Sequence, residues 1–379
     1  ATRTKNMSCF ANPFVRCIGA SCESHNTNPK TGAVLISERE FQLLSAVERD
    51  AVFNDVGGTW CGVKESEDFV VQKLAELDRE IARLQKRVKR AYLKAVAQET
   101  EMGRNYVLSR KFRLMFLRAD MFDAKKAALR LAKFFKVKLD LFGASTLSRS
   151  IVQTDLDIHD KEVLYSGWIY FSKDIDNSGR LVFSIRRQQL TYKDTINVQR
   201  VVFYSVQVAI EDNEDSQKRG AILLGYNCGD TPNQWSHQSN VPNMRRVFLA
   251  VTKVMKETLP ARCAVYHQCY SNSREHVLAS TLLFMMSRDA KSRYRLHFGS
   301  HEKCRSELLS FGINVDKLPV SVDGRYKMAQ LHAVLQRHLL MEETKYENGI
   351  KAEGNEKRTL EQLEEVDEHI LVEMQTSAD

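Results

Sequence analysis

Three groups of side chains in this sequence have types and spacings that bear on chemistry. His297, His301 and Cys304 bring nitrogen and sulfur donors close together, the donor types that zinc favours. They straddle an expected strand end and helix start, however, and no fourth ligand stands beside them. Asp174, Asp176 and Asp212 are carboxylates in turn-rich segments, where such groups cap and solvate the backbone, so they are not read as an acid–base pair. Gly225-Tyr-Asn-Cys-Gly229 is too short and wrongly spaced to cradle a nucleotide, and the patterns GxGxxG, GxxxxGK[ST] and GxSxG are absent. The 8 cysteines are dispersed without a CxxC pair, which reads as reduced thiols in a cytosolic protein. No convergent constellation remains, so the expectation is a binding protein rather than an enzyme, with no cofactor and no metal.

Any such site needs elements to position it. The chain has 379 residues, 43% of them hydrophobic and 27% charged, with 6 Pro and 17 Gly, which excludes collagen-like and wholly disordered classes and leaves room for more than one region. Its net charge of +8 is unevenly spread: residues 341–379 hold 4 basic and 12 acidic side chains, whereas residues 81–138 hold 17 basic and 4 acidic. That asymmetry points to an anionic partner, a membrane surface before nucleic acid, against the ordinary reading of a well-solvated helix face. There is no apolar run of the roughly 18 residues that would span a bilayer, and residues 1–36 are polar and lack the apolar stretch of a signal peptide.

Residues 1–36 are expected to be a disordered tail. Ser37 and Glu40 form a capping-box pattern, and Phe41, Leu44 and Val47 follow at helical spacing up to Gly57-Gly58. From Phe69 through Leu74, Leu77, Ile81, Leu84, Val88, Ala91 and Ala95 one apolar stripe continues, which predicts a single long helix. Two further helices are expected on either side of a tight turn at Met121-Phe122-Asp123, with Asp123 as the N-cap of the second. Beyond Gly143 the apolar runs Leu181–Ile185, Ala221–Tyr226, Cys263–His267 and Tyr294–Phe298 alternate with helical stretches, the order of a largely parallel sheet in an α/β fold. The segment 326–379 reads as an acidic helical tail. Within 273–287, Leu282, Leu283, Phe284, Met285 and Met286 are consecutive and so surround a helix axis; either the helix is buried on all sides or one face meets something apolar.

Several short patterns, taken in order, resemble the CRAL-TRIO lipid-binding family. Phe116-Leu-Arg-Ala-Asp-Met-Phe-Asp123 is similar to the family's FLRAxxFD element, Gly179-Arg-Leu-Val182 to its GRPV, and Leu259-Pro260 with Arg262 to its YPxR turn. Phe298-Gly299, Leu318-Pro319 and Gly324 resemble its FLG and closing LPxxxGG, so the resemblance covers about residues 66–324. It implies an N-terminal helical subdomain (37–145) and a lipid-binding domain (146–325) with a sheet floor, covering helices, an apolar cavity and a gate helix at 273–287. Implied lining residues are Phe183, Ile185, Tyr226, Tyr266, Leu282, Leu283, Phe284 and Met285, whose ordinary reading is sheet and helix core. In members that bind phosphatidylinositol a Glu precedes the Arg of the turn; here it is Ala261, and the basic residues near the family's strand Lys are Arg293 and Arg295, out of register with it by one. Arg262, Arg293 and Arg295 are thereby the implied headgroup candidates. The resemblance implies a cytoplasmic protein, peripheral to membranes, that carries or presents a lipid, with the basic helices of 81–138 on an anionic membrane surface. The alternative it leaves open is a docking module of the same fold, with a protein partner on the acidic tail. Nucleic acid is not expected as a partner.

Overall fold

The computed structural model describes residues 42–59, 62–172, 175–186, 195–211, 213–228, 241–270 and 291–318, and in the C-terminal segment 335–337, 339, 340, 342 and 344. The fold is α/β. Helices α1 (Ala46–Gly57), α2 (Glu67–Arg83), α3 (Lys86–Met102), α4 (Arg110–Ala119), α5 (Ala124–Phe142) and α6 (Ile158–Tyr165) precede a five-stranded sheet. The sheet contains β1 (Ile169–Ser172), β2 (Leu181–Ile185), β3 (Ala221–Asn227), β4 (Cys263–Tyr270) and β5 (Tyr294–Phe298) in sequential spatial order. Strands β2 to β5 are parallel and β1 is an antiparallel edge. Helices α7 (Thr195–Glu211) and α8 (Glu214–Arg219) connect β2 to β3, α9 (Val241–Glu257) connects β3 to β4, and α10 (His301–Ser310) follows β5.

Helix α1 is capped by Ser45 and Glu48, whose hydroxyl and carboxylate each accept from the other's backbone N–H. The Ser37–Glu40 pattern lies outside the described residues. One expectation from periodicity is corrected. The single long helix from 69 to 95 is two helices, because Leu84 and Gln85 adopt extended backbone with ψ of 140° and 142°. Lys89 reaches back across the break and donates to the carbonyls of Ile81 and Ala82 at 2.8 and 2.7 Å, adding a donor at the end of α2 where Ile81 otherwise accepts from the Leu84 N–H. The stripe survives the break because both halves bury the same face: Leu77 and Ile81 of α2 and Ala91 and Ala95 of α3 join one core.

The turn between α4 and α5 places Met121 and Phe122 at φ 54° and 61°, a left-handed conformation costing roughly 1–2 kcal/mol per residue. Burial of Phe122 against Phe69, with ring centroids 5.0 Å apart, offsets this by about 1.5–3 kcal/mol. Asp123 caps α5 by accepting from Lys126 N–H at 3.1 Å. Behind the turn Phe112, Phe116, Phe134, Phe135 and Phe203 interlock edge-on or tilted, so the helices of 67–142 and α7 share one core with the sheet face formed by Leu181, Phe183 and Ala221. A second core on the other face joins Val182, Ile222, Leu224 and Val265 to Val52 and Val56 of α1 and to Leu308 of α10. Among the described residues no helix is long and apolar enough to cross a membrane.

Candidate functional site

Parallel register decides which of the candidate residues share a face. Phe183 pairs with Leu223, Leu223 with Tyr266 and Tyr266 with Tyr294, so these four form one row across β2–β5. The next row on that face is Ile185, Gly225, Gln268 and Leu296, and the third is Asn227, Tyr270 and Phe298. Tyr266 stacks on Tyr294 at 6.1 Å and Tyr270 on Phe298 at 5.8 Å. Gly225 leaves room for Gln268, whose side-chain amide lies across β3: a Cβ there would stand 2.0 Å from Oε1 and displace that amide. Phe183 belongs to the main core and Ile185 packs against it, whereas Tyr266, Tyr294 and Leu296 form a separate apolar group.

Tyr226 does not stand with them. It belongs to the row Tyr226, Cys269 and His297 on the opposite face, is buried under α10, and its hydroxyl pairs with Nδ1 of His301 at 2.6 Å. Burial pushes its phenol above the ordinary range. Period-two alternation places it there: it is an even number of residues from Leu224 and an odd number from Leu223. Leu282, Leu283, Phe284 and Met285 lie outside the described residues.

The three arginines are held within the protein. Nη1 of Arg262 meets Oδ1 of Asp55 at 2.6 Å and Nε of Arg293 meets Oδ2 at 3.1 Å, while Nη2 of Arg262 donates to the carbonyl of Arg219 at 2.7 Å. Arg180 donates to the Asp55 carbonyl and is itself clamped by Asp176 at 2.9–3.1 Å. The carboxylate of Asp55, buried at the end of α1, thus bridges Arg262 and Arg293. Gly220 makes room for this, with φ +81° and a would-be Cβ 3.0 Å from Nη2 of Arg262. Arg295 stands apart: it pairs in register with His267 on the opposite face from Tyr266 and donates to the carbonyls of Ser292 and Tyr294 at 2.8 and 2.9 Å. Spacing could not have found Asp55, which comes from a helix more than a hundred residues away.

The residues that first suggested metal chemistry go to separate partners. His297 sits between Nδ1 of His267 at 2.9 Å and a Glu307 oxygen at 2.8 Å, His301 takes Tyr226, and Cys304 meets two other thiols. Desolvation lowers the pKa of the buried His267 well below the usual imidazole range, so it is neutral. Among the described residues no group of three His, Cys, Asp or Glu is arranged to hold a metal ion. Asp176 accepts from the backbone N–H groups of Ser178 and Arg180, the turn role expected of it, and adds a buried ion pair.

The charged residues of the 116–123 pattern join the helical region to the sheet's connections. Arg118 pairs with Glu65 at 2.6 Å, with Glu214 of α8 at 2.6 Å and with Gln217 at 2.7 Å. Asp120 pairs with Arg130, which donates to the carbonyls of Lys256 and Leu259 at 2.6 and 3.1 Å, and so holds the Leu259-Pro260 turn.

No protein-family model matches the chain, and no curated protein matches it. Among solved structures, one described as the crystal structure of Sfh5 is similar at 11% identity and a TM-score of 0.41, over 74% of this chain and 100% of that one.

Proposed function

We propose that this chain binds a lipid or similarly apolar ligand against the aromatic row of its sheet and transfers or presents it at membranes, as a binder and not a catalyst. The observation that carries this reading is the group Tyr266, Tyr294 and Leu296, which continues the sheet face of Phe183 and Leu223 yet merges with neither core among the described residues. The ordered resemblance of 66–324 to the CRAL-TRIO family supports it and supplies, as its implication, a gate around Leu282–Met285. Each CH₂ group taken from water against such a surface contributes about 0.8 kcal/mol, so one acyl chain suffices for stable carriage. Because Arg262 and Arg293 hold Asp55, the ligand is assigned by its apolar body and not by a phosphate headgroup.

For the membrane contact, α3 exposes Lys86, Arg87, Arg90 and Lys94 beside the 45% exposed Leu93. A cation near an anionic surface is worth about 1 kcal/mol, and this face makes a peripheral, cytoplasmic protein the fitting reading. The test is transfer of a pyrene-labelled phospholipid between liposomes, with native mass spectrometry for co-purified lipid. Wild-type protein should do both, and Leu296→Glu should abolish transfer with an unchanged melting temperature. Neither co-purification nor transfer by the wild type would remove the reading. The second reading, a docking module, is favoured by the closure of Arg262 and Arg293 on Asp55, and would then stand.

A further inference from the structure

Three cysteines far apart in the sequence meet on the face of the sheet away from the aromatic row. Cys269 pairs in register with Tyr226, Cys228 follows the end of β3 two residues beyond Tyr226 and shares its face, and Cys304 sits in the first turns of α10. All three are fully buried, lie in the core under α1 and α10, and are free thiols. Cys304 hydrogen-bonds with the other two thiols, and its own thiol is placed to donate to the carbonyl of Gly299 at 3.9 Å. Packing alone asks only for small apolar side chains at such positions, and the trio is not arranged to hold a metal ion.

The three sulfurs are chemically unequal. Hydrogen bonds from Cys228 and Cys269 lower the pKa of Cys304, and the N-terminal turn of a helix favours the thiolate further. Burial, and then the hydrogen bonds it donates, raise the pKa of Cys269. Three buried thiols in mutual hydrogen-bond contact, one on a helix and two at the end of the sheet, are placed so that one oxidised to a sulfenic acid has a neighbour to resolve it.

We propose that Cys304 is a hydroperoxide-sensitive thiol that Cys269 or Cys228 resolves into a disulfide, stapling α10 to the sheet. The Cys304 thiolate attacks one oxygen of the hydroperoxide and the O–O bond breaks. The sulfur, oxidised by two electrons, keeps that oxygen as a sulfenic acid, and the other oxygen takes a proton and leaves as water or an alcohol. The neighbouring thiol gives up its proton and attacks the Cys304 sulfur; the S–S bond forms, the S–O bond breaks, and the departing hydroxide leaves with that proton as water. In total, two thiols are oxidised and one hydroperoxide is reduced. Since the sulfurs are buried, hydroperoxide reaches Cys304 when α10 opens locally; on reclosing, the sulfenic acid meets its resolving thiol, and the disulfide then opposes further opening.

The proposal does not depend on lipid binding. The test treats the full chain with excess hydrogen peroxide, alkylates remaining thiols under denaturing conditions and maps peptides without reduction. The peptide holding Cys304 should be found linked to that holding Cys269 or Cys228, with slower amide exchange in α10. In the double variant Cys228→Ala/Cys269→Ala, Cys304 should accumulate as a sulfenic acid trapped by dimedone. Complete alkylation of wild-type Cys304 after peroxide that oxidises Cys9, Cys17 or Cys22, or its linkage to one of those instead, would overturn the proposal. Should the double variant fail to fold by circular dichroism, the wild-type map decides alone.

Discussion

Lys138 shows how a single side chain can set the pH response of the whole protein. It is fully buried in α5, donates to the carbonyl of Arg149, and lies 4.9 Å from the centre of the Tyr106 ring and 5.6 Å from that of Phe134. Desolvation brings its pKa down to about 7. The unfolded chain, with an ordinary lysine near 10.4, therefore holds one more proton than the folded chain between about pH 7 and pH 10, and linkage makes stability rise with pH across that window. Lys138→Met should remove this slope, a difference on the order of a few kcal/mol across the window. Urea titrations of wild type and variant near pH 7 and near pH 9.5 read it directly. Parallel pH profiles for the two proteins would show that Lys138 does not carry the effect.

At the scale of elements, α1 is fastened by one carboxylate. Its last turn delivers Asp55 to Arg262 before β4 and Arg293 before β5, joining the N-terminal helix to the start of two parallel strands. Breaking a buried pair by removing one partner costs about 3–5 kcal/mol, because the remaining charge loses its compensation. Asp55→Ala is predicted to destabilise by that order, and Asp55→Asn, which keeps the shape, by a large part of it; thermal unfolding measures both. A change within the ±0.5 kcal/mol typical of surface substitutions would mean that the apolar contacts of Val52 and Val56 hold α1 without the ion pair.

Across the whole molecule, the C-terminal segment is a working part of the fold. Leu335 is buried in the main core, and the carboxylate of Glu342 accepts from the Tyr204 hydroxyl and the backbone N–H of Gln153, both at 2.7 Å. Hydrogen bonds to a charged group contribute about 1.5–3 kcal/mol, so Glu342→Ala should lower unfolding stability by that amount in a denaturant titration. An unchanged midpoint would place the segment outside the cooperative unit. The acidic composition of residues 341–379 foretells solvation, and nothing in it marks Glu342 as an internal acceptor.

The strand runs, the turn at Met121–Asp123, the Asp123 cap and the α/β class were legible because each depends on neighbours within a few residues: alternation, capping and turn chemistry are local. The α2–α3 break was not, since the apolar stripe runs on through Leu84 and only extended backbone there, with Lys89 folded back, divides it. The short edge strand β1 was missed for a related reason: four residues are too few for alternation to register, and its pairing with β2 defines it. The family resemblance implied ligand-facing residues, but the side of the sheet each one faces depends on lateral register, which put Tyr266 and Tyr226 on opposite faces. Tertiary structure alone decided that Arg262 and Arg293 share Asp55 and that three dispersed cysteines touch. Both are long-range pairings between charges or sulfurs, and such pairings leave no period in the chain.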